Sequence, residues 1–312
     1  REAVVDALVT ALKDSDTEVR RAAARSLGNR HDERAVPGLV AVLSDPDVEV
    51  RRAAVSGLQG IRDPRAFEGL LARLKDEDAE VRAQAANALG EARDERAAGG
   101  LTALLSDSHS DVRRAALSGL MQMRRGVPLA VLLAALKDPD ADLRQLAASA
   151  LSDAEDKQAV LPLIAALSDR SADVRQSCAH ALGNLKDPRA LDPLIALLKD
   201  GSADVRRAAI NALASFELDE VPPALFEALK DRDADLRRAA VDTIGSCADP
   251  KSVPAIAGLL SDPDPDVRVA AVNALSSVRD GAATRALTTA LKSGDPEVRK
   301  HAAEALGERN ER

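Results

Sequence analysis

Along the chain a hydrophobic residue followed by arginine returns at a constant interval: Val19-Arg20, Val50-Arg51, Val81-Arg82, Val112-Arg113, Leu143-Arg144, Val174-Arg175, Val205-Arg206, Leu236-Arg237, Val267-Arg268 and Val298-Arg299. Each interval is 31 residues, so ten repeats without insertion fill 310 of the 312 positions. The expected organisation is a single solenoid over 1–312. Its repeats are 1–31, 32–62, 63–93, 94–124, 125–155, 156–186, 187–217, 218–248, 249–279 and 280–310. Self-similarity at such a period denotes stacked two-element layers rather than one globular core.

Within a repeat the apolar positions follow helical spacing. Leu8 and Leu12 are four apart and recur as Leu39 and Leu43. In the second half Val19, Ala23, Ala24 and Leu27 share one helical face. Each repeat thus predicts two short helices, A over about 4–13 and B over about 17–29 in the first. Helix B follows Asp16, Asp47, Asp78, His109, Asp140, Ser171, Ser202, Asp233, Asp264 and Asp295, all but His109 good N-caps. Pro265 and Pro296 take the first helical position, where a missing N–H does no harm. An acid comes next in every repeat, Glu18 to Glu297, where the helix dipole favours negative charge. Asp63-Pro64, Asp187-Pro188 and Asp249-Pro250 mark turns between repeats, and Pro37, Pro162, Pro193 and Pro254 predict a brief kinked turn before helix A proper. A helix pair cannot bury its apolar face alone; stacked neighbours do so, about 8–10 Å per layer, in a body roughly 100 Å long. The fold class expected is all-α, an alpha-alpha superhelix.

The pattern of Asp45, Val50-Arg51, Ala53-Ala54 and Leu58, then Asp63-Pro64-Arg65-Ala66, resembles the HEAT-like repeats of the phycobilisome-lyase type. It is also similar to artificial HEAT-type repeat libraries. The resemblance covers the whole chain and implies a right-handed α-solenoid with the B helices on the concave, partner-binding face. It further implies a structural ladder of Asp and Arg six residues apart, among them Asp45 and Arg51, Asp76 and Arg82, Asp138 and Arg144, Asp231 and Arg237. The ladder would link one inter-helix turn to the next, so that Asp138→Ala leaves Arg144 unpaired. In the last repeat Ser293 stands in the Asp position.

Composition narrows the function. The chain is 46% hydrophobic and 30% charged, with three Phe and no Trp or Tyr, so it offers few aromatic anchors. Its net charge of −8 opposes nucleic-acid binding, which is driven by counterion release at phosphates. No apolar run reaches membrane-spanning length and no signal peptide is visible; the location is left open, with the cytoplasm favoured. The chain opens at Arg1 and is read as a fragment or processed form. His31, His109, His180 and His301 fall in different layers, so no metal site is expected. Cys178 and Cys247 are two layers apart and read as core, not a disulfide. No Gly-rich phosphate loop, nucleophile elbow or zinc-protease motif occurs. The expectation is no catalytic residue, no cofactor and no enzyme.

Helical geometry turns the positions equivalent to 18, 21, 22, 25 and 29 outward on helix B. The expected partner contacts are Arg52, Asn87, Arg114, Ser118, Gln145, Gln176, His180, Arg207, Asn211 and Arg238. They describe a monomeric, non-enzymatic scaffold or adaptor for a protein or peptide. Rival readings are a regulatory or sensory domain of a larger protein and, from the lyase likeness, bilin attachment. One core column runs Ile61, Ala92, Met123, Ala154, Leu185, Phe216, Cys247, Val278, and becomes Arg30 and Arg309 at the ends, as exposed end faces require. Two junctions break pattern: Met121 to Gly126, with Arg125 in place of the turn Asp, and Phe216 to Glu220, followed by Pro222-Pro223 and Phe226.

Overall fold

A computed structural model describes residues 2–30, 32–61, 63–153, 156–218 and 220–310; His31, Ala154 and Asp219, named above, lie outside them. It is all-helical, with no strand among the described residues, and has the repeated helix pairs of an α-solenoid. Two compact units divide it, Arg1–Ala147 and Ala148–Arg312.

In the first unit the A and B helices alternate as α1 (Glu2–Ala11), α2 (Thr17–Gly28), α3 (Val36–Ala41), α4 (Val48–Leu58), α5 (Phe67–Arg73), α6 (Ala79–Ala92), α7 (Ala98–Leu104), α8 (Ser110–Met121) and α9 (Leu129–Ala135). The helix α10 (Ala141–Asp153) opens in this unit and closes in the second. The second unit continues with α11 (Val160–Ala166), α12 (Ala172–Leu185), α13 (Leu191–Leu197), α14 (Ala203–Leu213), α15 (Pro223–Ala228), α16 (Ala234–Ser246), α17 (Val253–Gly258), α18 (Pro265–Ser277), α19 (Gly281–Ala290) and α20 (Pro296–Asn310).

Most A helices are shorter than the spacing suggests, because a three-residue 3-10 turn takes their first part. The turn starts at an aspartate such as Asp63, whose Oδ1 accepts the Arg65 N–H at 2.8 Å. The Arg65 guanidinium then folds back onto the same carboxylate. This is the kink expected from the prolines, but Asp94 makes it without one. At the two irregular junctions the turn is missing, and α9 and α15 begin directly after Pro128 and Pro222. Glu95 closes the first of these gaps by accepting the Arg124 N–H at 2.9 Å.

The B-helix caps need correction. Asp16, Asp47, Asp78, Asp140, Asp233, Asp264 and Asp295 accept backbone N–H groups of the first turn. Ser171 and Ser202 give no such bond, nor does His109. At those three positions, as at Asp47 and Asp78, the residue's own N–H is held by the aspartate two residues earlier, here Asp107, Asp169 or Asp200. The turn therefore keeps its shape without a capping oxygen.

Leu, Val and Ala of the inward faces form the core, with Leu27, Val50, Leu89, Leu117, Leu182, Leu213 and Leu275 fully buried. A buried Leu contributes roughly 1.5–3 kcal/mol, so the recurring column dominates cohesion. Neighbouring B helices approach so closely that a Cβ on Gly90 would stand 2.5 Å from Gly119 Cα. Positions equivalent to 22, expected outward, are buried at Ala53, Ala115, Ala208 and Ala270, because adjacent B helices close over them. The variable core column is likewise only partly core. Met123, Leu185 and Val278 are buried, Ile61, Phe216 and Cys247 half-buried, and Ala92 exposed. Arg309 is no free end-face charge: its guanidinium turns inward and donates to Leu275 O and Val278 O, both at 2.7 Å, capping α18.

Candidate partner-binding surface

Two rows of ion pairs order the B helices. In the first, Arg51 donates through Nε and Nη2 to both oxygens of Asp76, at 2.9 and 3.0 Å, while its Nη1 donates to Asp45 O at 2.9 Å. The same geometry joins Arg20 to Asp45, Arg82 to Asp107 and Arg113 to Asp138 in the first unit. In the second it joins Arg175 to Asp200, Arg206 to Asp231 and Arg237 to Asp262. Each arginine therefore meets its own repeat's aspartate only through the backbone carbonyl, and the carboxylate of the following repeat through its side chain. Asp138 thus serves Arg113 with its carboxylate, so Asp138→Ala would strip Arg113; buried Arg144 meets Asp138 at its backbone carbonyl, at 2.8 Å, beside Pro139 O at 3.0 Å. Where Ser293 removes the acceptor, Arg268 reaches the cap residue Asp295 instead.

These contacts keep the carboxylates ionised. The Arg175 hydrogen bond holds Asp200 below the ordinary carboxylate range. Burial opposes the charge of Asp76, but the Arg51 hydrogen bond and the Asp78 N–H outweigh it and the net shift is downward. Such bidentate, charge-assisted pairs fix geometry as well as charge.

The second row was not anticipated. Arg21 grips the next cap, Asp47, at 2.8 and 2.6 Å, and holds its carboxyl at about 2. Arg52 grips Asp78 in the same way, at 3.1 and 2.7 Å, and lowers its carboxyl. Arg114 is divided among Asp111, Asp140 and Asp142, and Arg207 joins Asp233 at 2.9 Å. Arg52 and Arg114, expected to face a partner, are thus occupied by neighbouring repeats. The stripe of acid beside base was legible in sequence, but its inter-repeat pairing depends on how far each B helix is offset from the next.

The other expected contacts separate by unit. In the first, Asn87 and Ser118 are half-buried along the B-helix face, as is Gln145, which has a partner of its own. In the second, Gln176 is half-buried and His180 and Asn211 are exposed. Arg207, Asn211 and Arg238 come together around one groove of ≈ 430 Å³ between α14 and α16, completed by Asp235, Asp242, Thr243 and Ser246. Arg238 and Asp242 also wall a second groove of ≈ 540 Å³ with Asp266, Asn273, Glu297 and His301. Arg238 is loosely held, 3.9 Å from Asp242 and more than half exposed. Asp242 stands in the groove, where desolvation pushes its carboxyl above the usual range despite Arg238. Asp235 and Asp266 were not among the expected contacts because the acids after the caps were read only as helix-dipole partners, and Asp242, equivalent to position 25, was passed over in a column of mostly small polar residues. The signal was the neighbouring column, where Gln176 and Val269 replace arginine.

A thiol nucleophile finds no footing in Cys178, which is fully buried and pushed up to about 12 by desolvation. Among the described residues no three His, Cys, Asp or Glu side chains are placed to hold a metal ion. Among those residues, too, no helix is long and apolar enough to cross a membrane.

The helix pairs, their ladder and their period define an α-solenoid repeat protein. The family model for HEAT repeats matches residues 5–76, 36–121, 67–152, 129–214 and 222–307. The chain belongs to the HEAT repeat family, whose repeats generally mediate protein–protein interaction. Among solved structures it is similar to a crystal structure of an engineered protein, at 22% identity and a TM-score of 0.59, over 97% of this chain and 98% of that one. That likeness concerns the fold alone. No curated protein matches.

Proposed function

We propose that the chain is a non-enzymatic scaffold that binds a protein partner on its B-helix face, the concave one in the solenoid, with the principal contacts in the second unit. The observation that carries this is the convergence of Arg207, Asn211 and Arg238 with Asp235 and Asp242 on one groove. There, Arg238, Asp235 and Asp242, which make no inter-repeat pair among the described residues, line a recess between packed helices beside Arg207, which is already held by Asp233. The groove fits an extended segment bearing Lys or Arg, whose cations would meet Asp235, Asp242 and Asp266 while its backbone meets Asn211 and Asn273. The same carboxylates repel phosphates, which argues against nucleic acid.

Fluorescence anisotropy with a labelled lysine-rich peptide and an acidic counterpart tests this. The basic peptide is expected to bind, more weakly as salt rises. The triple variant Asp235→Lys, Asp242→Lys, Asp266→Lys should weaken it more than tenfold, while Glu18→Lys and Asp111→Lys in the first unit leave it unchanged. Equal binding of both peptides, or an unaffected triple variant, overturns the proposal. A regulatory domain would use the same surface for a segment of its own longer chain. Bilin attachment has no support on this face, which carries neither an aromatic residue nor a reactive thiol.

A further inference from the structure

The cation column of the B helices is matched to the cap that follows it. Arg21, Arg52, Arg114, Arg207 and Arg238 each precede an acidic cap in the next repeat. Where the next cap is His109, Ser171 or Ser202, the column holds Ala83, Gln145 or Gln176. Val269, ahead of Asp295, breaks the match. The cap itself is served by another route. Ser293 has taken the ladder acceptor from Arg268, and Arg268 turns Nε and Nη2 onto Asp295 Oδ2, at 2.9 and 2.6 Å. The other carboxylates that a guanidinium in the column would meet are left over.

Arg52 identifies them. Its Nε and Nη2 hold Asp78, while its Nη1 lies 3.2 Å from Glu49 in its own repeat and 2.9 Å from Glu80 in the next. Arg114 is shared in the same way among Asp111, Asp140 and Asp142. Around Val269 the equivalents of Glu49 and Glu80 are Asp266 and Glu297. Asp266 is exposed and makes no ion pair among the described residues. Glu297 has Lys300 and His301, each only within 3.9 Å. Asp266, half-buried Val269 and Glu297 line the groove of ≈ 540 Å³ together with Asp242 of α16. Against these carboxylates the groove sets only Arg238, 3.9 Å from Asp242, and His301.

We infer that this recess is an arginine subsite, in which one arginine of the bound segment lays its aliphatic stem on Val269 and places its guanidinium between Asp266 and Glu297. The inference rests on the groove reading proposed above and adds the side chain that fills it. What carries it is the occupancy of the equivalent carboxylates elsewhere in the chain, which hold a guanidinium wherever the column supplies one. Arginine rather than lysine is specified because those sites use a planar fork that meets several carboxylates at once, whereas an ammonium is a point charge. The partner thus completes in trans a row of pairs that the chain makes for itself in other repeats.

Fluorescence anisotropy with two labelled peptides tests this, the lysine-rich one and the same peptide with every lysine exchanged for arginine. The arginine peptide should bind the wild type about tenfold more tightly, the worth of one further charge-assisted hydrogen bond. Val269→Arg supplies the guanidinium from the chain itself and should erase that difference. Asp266→Asn, at an exposed residue without an ion pair, should erase it too and guards against a misfolded Val269→Arg, with circular dichroism checking both. Ala83→Arg adds the same charge at the equivalent position of the third repeat and should leave the difference intact. If neither peptide binds the wild type, the groove reading and the subsite fall together. If both bind equally, or the arginine preference survives in Val269→Arg and Asp266→Asn, the subsite alone is overturned and the groove reading stands.

Discussion

Removing the Asp76 carboxylate tests whether the ladder holds the repeats together or merely decorates their turns. The Asp76 side chain is 2% exposed and that of its partner Arg51 is 5% exposed. Asp76 also accepts from Arg73 Nη1 at 2.9 Å and from the Asp78 N–H at 3.0 Å. Asp76→Ala therefore strands a buried guanidinium and loosens the turn before α6. Stripping one partner from a buried pair costs about 3–5 kcal/mol. Arg51 keeps Asp45 O, Pro46 O and Glu77, so the lower end, about 3 kcal/mol, is expected. For a unit of this size that corresponds to a fall in Tm of roughly 6–12 °C. The ladder is accountable for the loss only if it is a pair effect. Arg51→Met with Asp76→Leu should recover most of the stability, since apolar replacement of a buried pair is often neutral. Urea denaturation followed by circular dichroism, with hydrogen exchange at the Val50 and Val81 amides, reads both variants. A loss below about 1 kcal/mol, the range of surface pairs, would refute the reasoning. So would a double variant whose cost is the sum of the two singles.

Glycine substitutions should change sign with position. Gly90→Ala drives a Cβ into the Gly119 backbone and should cost about 1–3 kcal/mol, whereas Gly99→Ala in α7 meets open space and should gain about 0.5–1 kcal/mol, both read from urea midpoints. Arg309→Met removes the donors that cap α18 and should cost roughly 1.5–3 kcal/mol, with faster exchange at that helix end; unchanged exchange would show the cap to be idle. Acid should weaken the fold over a defined window. Asp47 and Asp187 are held at about 2, and Asp76, Asp138, Asp200 and Asp262 are also below their ordinary value of 3.8. A lowered carboxyl contributes stability that is complete above 3.8 and lost as pH falls through the folded value, so Tm should drop between about pH 4 and pH 2. A Tm that is flat over that range would contradict the ladder's role.

Much of this protein was written in one dimension. The spacing of Leu8, Leu12, Val19 and Leu27, repeated at 31 residues, demands two helices per layer and neighbours to bury them, so fold class follows from periodicity. The caps and turns were legible for the same reason, since Asp and Pro act on backbone within a few residues of themselves. Contacts between repeats were less so. Sequence placed Asp138 and Arg144 in one repeat, but only the offset of stacked helices decided that the carboxylate meets Arg113, 25 residues earlier. The same offset tied Arg52 and Arg114 into inter-repeat pairs and left Arg238 and Asp242 lining the candidate groove. It also turned Arg309 from an exposed end into a helix cap. A column of identical residues says which side chains share a face. How far each face slides against the next is set by packing, and that distance determines which charges are satisfied inside the molecule and which remain for a partner.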